Sequence, residues 1–538
     1  MVDVLIVGAG PVGLTMALAC RKQGLTFRII ERLGEPSGLS KALAVWSAAL
    51  EMLDGLGVAG EFLAGGIEAK GMRISRKSRM LIEVPAGLGV DSPYPQMLLL
   101  PQSETERILA GALSREGVTI ERGVEVTDLV QTEDRASVTV RRADGSGETI
   151  EARWVAACDG AHSTVRHLVK AEFEGRAIED VFVLCDARID GEIEEARAQL
   201  FWSTTGLLAV FPVIRGMWRI IATRGSNSDA EVTLEEVQQI LDERGPGGWR
   251  LHDATWLSKF RISERKATSF HHGRVLLAGD AAHIHSPAGG QGMNTGMQDA
   301  YNLAWKLALL AAGRGDENAV LESYHAERSP VAAKVLEESG RMIRSNFVKN
   351  PVLQVLRDTA VRLASGSDTF KRTMSRALSG LGIHYPEGYF VADDTAWHED
   401  WRPHGFAPGW RPRDVTVLRG NEPVSLFAET GPPKFTLVLF SGRKPIYRDV
   451  DRLASVALVG EGWAEWIRIV KVWSGEHPPD DSWLLDPEGK AHRKFGAEQA
   501  SFYLIRPDRY VALRSQPAEA AVLHDWLERR LPVAAVER

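Results

Sequence analysis

Residues 2–13 read V-D-V-L-I-V-G-A-G-P-V-G, and no other stretch restricts the fold as strongly. An apolar strand runs into G-x-G-x-x-G, and a helical segment carrying Leu14, Met16, Leu18 and Ala19 follows. A second strand ends on Glu31, about twenty positions on. A lone G-x-G-x-x-G is weak evidence, but strand before, helix after and a distal acid make it a dinucleotide-binding βαβ unit. Gly8, Gly10 and Gly13 allow a tight turn and close approach of a pyrophosphate to the helix start, where Pro11 and Val12 lie. Glu31, with Arg32 beside it, is placed at an adenosine ribose. The competing reading is glycines used only for packing a helix on a strand. No second complete G-x-G-x-x-G occurs, which argues against reductases carrying two dinucleotide domains.

A second stretch, residues 272–309, repeats the logic with different chemistry. Residues 274–278 (R-V-L-L-A) form a short buried strand that ends on Gly279 and Asp280. Ala281, Ala282, Pro287, Gly289, Gly290 and Gly292 let backbone approach a flat ligand, and a helical pattern with Leu303, Trp305, Leu307 and Leu310 follows. A carboxylate next to a helix N-terminus suits a ligand with both a polyol and an acidic ring. Asp280 would accept from ribityl hydroxyls, and the helix N–H groups would face the flavin N1–C2=O edge. The plainer alternative is a crossover with an N-capping Asp. A third turn follows the strand at residues 154–158: Asp159-Gly160, then Ser163 as N-cap and Arg166, which either pairs with Asp159 or meets a phosphate.

G-D-A-A-H with P-x-G-G-x-G-x-N, and D-G-x-x-S-x-V-R, resemble the fingerprints of single-component flavin monooxygenases, the aromatic hydroxylases of the phenol and p-hydroxybenzoate hydroxylase type. The resemblance covers nearly the whole chain. It implies bound FAD, with NADPH or NADH as co-substrate. It also implies hydroxylation of a phenolic or polyketide-like ring by O2 through a flavin C4a-hydroperoxide, in a pocket kept dry. It adds Lys41, Gln102, Val126, Asp159, Pro287, Gly290, Gly292, Met293 and Asn294 to the FAD contacts. Arg166 would lie on the nicotinamide route. Lys41 stands in the family's S-R-A-L-A-V segment, and Trp46 and Ala48 replace residues that are commonly polar and arginine. That departure puts a phosphate or nicotinamide contact in doubt and reads Trp46 as core. Catalysis is flavin-borne, so no side chain is named catalytic, and His283 and His285 are assigned structural hydrogen bonds. A Baeyer–Villiger outcome and a flavin-binding sensor or carrier stay open. Halogenation is disfavoured because the W-x-W-x-I-P signature is absent.

The expected fold is α/β: a Rossmann-like FAD-binding domain (1–70, 101–175 and 270–399, with a helical extension) interleaved with a mostly antiparallel substrate domain (71–100 and 176–269). A thioredoxin-like α/β domain (415–538) closes the chain. Trp202 and Phe211 are the aromatic residues expected to face substrate. Ser103 with Glu106 reads as a capping box, Ser329-Pro330 as a helix opening, and residues 397–414 as a linker lying on the surface. With 538 residues, two or three domains are needed. A net charge of −7 and no basic run give no reason to expect nucleic acid. No apolar run reaches bilayer length, no signal peptide is read, and Cys20, Cys158 and Cys185 have no metal or CxxC spacing. The expectation is a cytoplasmic protein without metal, taking a small aromatic substrate, with a homodimer left open. Residues 415–538 hold no cysteine, which excludes thiol–disulfide exchange there.

Overall fold

Strand Val2–Val7 is the axis of the first layer. It pairs in parallel with Phe27–Glu31 and with Gly147–Ala157. Ile120–Arg122 and Val275–Leu277 extend the parallel sheet at its two sides. Val4, Leu5 and Ile6 are fully buried, as a strand covered on both faces requires. Helix Pro11–Gln23 packs against both Gln102–Arg115 and Gly292–Ala311. The computed structural model describes residues 1–532 except 39, 225–229, 288, 347–349, 393–404 and 476.

The second layer is an eight-stranded sheet built around two 18-residue strands, Phe173–Asp190 and Arg250–Ala267. It takes in Gly71–Arg76 and Arg79–Pro85 from the early chain. Its pairs are antiparallel except Arg197–Trp202 with Gly71–Arg76, which is parallel. Alternation sorts the side chains by face. Phe201, Leu208, Val210 and Ile220 join one cluster with Val237, Ile240 and Leu241 of helix Leu234–Arg244. Trp202 and Phe211 belong to the opposite face.

The terminal module is a seven-stranded sheet. Phe435–Phe440 and Ile467–Trp473 are parallel and joined by helix Tyr447–Glu461, while Ser501–Ile505 runs antiparallel beside Phe435–Phe440 and Val511–Ser515 antiparallel beside Ser501–Ile505. Its contact with the first layer is partly apolar, with Phe435 edge-on to Trp305 at 5.6 Å, and partly ionic. Arg506 donates to both oxygens of Glu327 (2.7 and 2.8 Å) and to both of Asp508 (2.9 and 2.6 Å). Glu327 also accepts from Lys306 and Asn302, at 2.8 Å each.

Three sequence expectations give way here. Residues 405–414 expose Gly405, Trp410 and Arg413 but are not a free linker. Gly409 N–H donates to the Val511 carbonyl at 2.7 Å, and buried Arg411 pairs with Glu51, so this part is stitched into the module boundary. Residues 397–404 lie outside the described residues. Pro330 sits inside a continuous helix, Glu317–Asn346, rather than at its start. Buried ion pairs of Glu327 and Arg328 fix the preceding turn and carry the helix past the missing N–H. The Ser103–Glu106 box is replaced because Gln102 takes Glu106 itself (Nε2 to Oε1, 2.9 Å) and the helix N-cap is Pro101. Among the described residues no helix is long and apolar enough to cross a membrane, and no group of side chains could hold a metal ion.

Candidate active site

Four turns meet at the carboxyl edge of the parallel sheet: Gly8–Gly13 after the first strand, Glu31 after the second, Asp159-Gly160 after Gly147–Ala157, and Gly279-Asp280 after Val275–Leu277. That edge is where open α/β sheets bind ligands.

The glycines divide into two roles. A Cβ on Gly13 would stand 1.9 Å from the Gly8 carbonyl oxygen, so its absence lets helix and strand touch. A Cβ on Gly10 would meet nothing within 4 Å, so that position faces open space. The helix behind them, with Val12 partly buried, starts with Pro11 and has no side-chain cap, which leaves its first N–H groups for an anion. Glu31 accepts from Ala9 N–H (2.8 Å) and Leu33 N–H (2.9 Å), fixing its carboxylate against the glycine turn. Arg32 and Lys41 are exposed. Val126 is buried in a hairpin opposite Val140. Glu106 is pushed above the usual carboxylate range by burial, countered by Gln102 and Arg122.

Asp159 accepts from Val165 N–H at 3.1 Å through one oxygen, while the other is buried without a partner. Burial raises its carboxyl. A bound hydroxyl donor would satisfy that oxygen, and exposed Asp280 offers a second acceptor on the same edge. Open backbone at Gly10, an orphaned acceptor at Asp159 and a free carboxylate at Asp280 fit a ligand combining phosphates with a polyol. Arg166 forms no ion pair with Asp159. It donates to the carbonyls of Ala161 (2.9 Å) and Ala281 (3.1 Å) and lies over the Phe173 ring at 4.0 Å, tying the second and third motifs together.

Helix Gly292–Ala311 opens just after Gly289-Gly290, with Met293 packed on the core beneath. Asn294 is spent on protein: Nδ2 donates to the carbonyls of Ala44 (2.9 Å) and Gly290 (2.8 Å), and Oδ1 accepts from Trp46 N–H (2.9 Å). Trp46 is not simply core. Its indole N–H donates to the Gly289 carbonyl at 2.9 Å, joining residues 44–47 to the glycine turn that follows exposed Pro287. Gln102 holds the same segment through Ala42 N–H (3.2 Å).

Two further residues gave no sequence signal. Asp299, fully buried, accepts from Gly279 N–H (3.1 Å), His283 Nε2 (2.7 Å) and Arg328 Nε (2.7 Å). Burial raises its carboxyl, but Arg328 and His283 outweigh this and hold it below the usual range. His283 is thus a structural partner. His285 is driven down by burial and by His283, and its Nδ1 meets the Ser286 carbonyl. Arg219, also buried, is bidentate to Asp186 (2.8 and 2.7 Å) and donates to the Lys41 carbonyl (3.3 Å), clamping residues 41–42 onto the second sheet. Both act across more than a hundred residues or between elements, so only a motif with a known partner could have marked them.

A narrow crevice with a free volume of about 20 Å³ is lined by Trp46, Ser47, Met72, Val84, Met97 and Leu378, among others. Phe211 packs in the cluster containing Trp46, Met72 and Met97. Trp202 lies in a different cluster with Ile74 and Ile82, under Arg357 at 4.1 Å. Neither lines the crevice directly.

A family model described as an FAD binding domain matches residues 1–339. The chain is 34% identical to a 6-methylpretetramide 4-monooxygenase of Streptomyces rimosus, over 97% of this chain and 92% of that protein. It is 34% identical to a pentachlorophenol 4-monooxygenase of Sphingobium chlorophenolicum, over 95% and 93%. An anhydrotetracycline hydroxylase structure from Streptomyces rimosus superposes with a TM-score of 0.75 at 29% identity, covering 99% of both chains. With the turns at one sheet edge and relatives aligned along nearly its full length, the chain belongs to the FAD-dependent monooxygenases that hydroxylate aromatic compounds.

Proposed function

We propose that the substrate is a flat, oxygenated aromatic compound bound in the crevice between the glycine turn and the second sheet. One observation carries this: Trp46 belongs to both places, bonding the Gly289 carbonyl in the cofactor turn and lining the crevice. The relatives named for 6-methylpretetramide and pentachlorophenol support an aromatic ring as the target.

Bound FAD supplies the redox and oxygen-activating chemistry, with electrons drawn from NADPH or NADH. The chain's residues hold and enclose. Backbone at Gly8–Gly13 would hold the pyrophosphate, Glu31 the adenosine ribose, and Asp159 and Asp280 the hydroxyls. The N-terminus of helix Gly292–Ala311 faces the ring edge that becomes negative on reduction. The apolar wall of Met72 and Met97, backed by Phe211, excludes water. The strand order of the terminal module, with three parallel strands flanked on each side by two antiparallel ones, supports the reading of a cysteine-free thioredoxin-like domain whose role is packing.

The test is a panel of phenols and polyketide aromatics scored by stimulated NAD(P)H oxidation and a product heavier by one oxygen atom. Stimulation without oxygenated product would sink the reading. For the cofactor site, Asp280→Ala should weaken FAD retention by about 10–150-fold, the worth of hydrogen bonds to a charged group. Full retention would remove Asp280 from the site.

A further inference from the structure

The crevice carries no charge. Among the described residues, none of the fourteen that line it is ionisable. An ionised carboxylate or sulfonate placed there would lose its hydration without a counter-ion. Of the four polar side chains on the wall, two are occupied. The Trp46 indole N–H is spent on Gly289, and the Ser379 hydroxyl donates to the Arg376 carbonyl at 2.7 Å. Ser47 differs. It is 1% exposed, lines the crevice, and its Oγ is buried without a hydrogen-bond partner.

A hydroxyl left unpaired in a protein interior is costly unless something else completes it. Ser47 is the first residue of helix Ser47–Gly55, directly after the residue that bonds the cofactor turn. A Ser Oγ can donate to a ligand carbonyl or accept from a ligand phenol. The adjoining wall of Met72, Val84, Met97 and Leu378 is polarizable and apolar, suited to a ring face.

We infer that the crevice selects uncharged aromatic ligands and that Ser47 Oγ recognises one ligand oxygen, so that Ser47 and the absence of any cation set substrate specificity. This rests on the hydroxylase reading above. It predicts that substrates reach the enzyme as neutral phenols or ketones, and that acidic aromatic analogues are rejected.

The experiment uses the full-length FAD-loaded enzyme and three probes: 1-naphthol, naphthalene and 1-hydroxy-2-naphthoate. Binding is read from the perturbation of the flavin absorption spectrum at neutral pH, which does not require turnover. 1-Naphthol should bind about 3–12-fold tighter than naphthalene, the worth of one hydrogen bond. Ser47→Ala should bring that ratio near one while leaving naphthalene unchanged, and Ser47→Thr should restore it. The melting temperature of Ser47→Ala should not fall, since an unpaired buried hydroxyl is removed. 1-Hydroxy-2-naphthoate should bind at least about 30-fold more weakly than 1-naphthol. Carboxylate binding equal to that of 1-naphthol would overturn the proposal. So would a Ser47→Ala variant that weakens both neutral probes equally. If no probe moves the flavin spectrum, while polycyclic phenols from the wider panel accelerate NAD(P)H oxidation, the placement at Ser47 is wrong and the hydroxylase reading stands. If nothing in that panel accelerates oxidation, the hydroxylase reading falls, and this inference with it.

Discussion

Arg506→Met tests whether the terminal module holds the cofactor domain together. Arg506 is fully buried, and its four hydrogen bonds to Glu327 and Asp508 span 2.6–2.9 Å. Burial alone would raise the Glu327 carboxyl, but Arg506 and Lys306 hold it at about 2, so it stays ionised in any ordinary buffer. With Lys306 and Asp508 the cluster has two positive and two negative groups. Removing Arg506 leaves one buried negative charge uncompensated, which costs about 3–5 kcal/mol. The expected fall in melting temperature is on the order of 10 °C. Helices Gly292–Ala311 and Glu317–Asn346 carry Asn302, Lys306 and Glu327, and the first of them opens at the cofactor turn, so FAD release should accompany the transition. Flavin fluorescence and circular dichroism during heating read both events. Combining Arg506→Met with Glu327→Gln restores charge balance, and the double variant should lose less than the sum of the singles by about 1–3 kcal/mol. A single variant melting within about 1 °C of wild type, or strictly additive losses, would refute the clamp. The same geometry predicts that truncation near Asp414 lowers the melting temperature of the remaining chain. Such a truncation takes Arg506 away from Glu327 and Arg509 away from Asp54.

Three further outcomes follow from the geometry. Gly13→Ala should fail to give folded protein because its Cβ would overlap the Gly8 carbonyl, whereas Gly10→Ala should fold with normal melting yet bind FAD poorly; equal behaviour in expression and FAD titration would dissolve the division of roles. Trp202→Ala should cost about 3–5 kcal/mol of stability with substrate coupling intact, while Phe211→Ala should divert NAD(P)H into hydrogen peroxide; a peroxide assay showing the reverse would move the pocket wall to Trp202. Burial pulls the Lys306 ammonium from 10.5 to about 8, so between these values the unfolded chain holds a proton the folded one lacks. Stability from this group therefore rises with pH across that window. Urea midpoints of wild type minus those of Lys306→Met should increase from pH 8 to pH 10, and a flat difference would contradict the burial effect.

The three cofactor turns were legible in the sequence because each is local: a strand end, small residues and a helix start lie within about a dozen positions. Alternation likewise suggested an antiparallel sheet in residues 176–269, with strands from residues 71–100 added to it. What the chain could not disclose are contacts between segments far apart in sequence, whose energy depends on burial and on a partner. Asp299 gained meaning only when folding set Gly279, His283 and Arg328 around it. Trp46, read as core, turned out to bond Gly289 across 243 positions. Residues 405–414 look like a linker because Pro and Gly break local structure, yet Arg411 and Gly409 are held by groups on other elements. Local propensity is written in neighbouring residues. The pairing of buried charges and the sorting of Trp202 from Phe211 are decided by tertiary packing, because a side chain's cost or worth in an interior depends on what else arrives there.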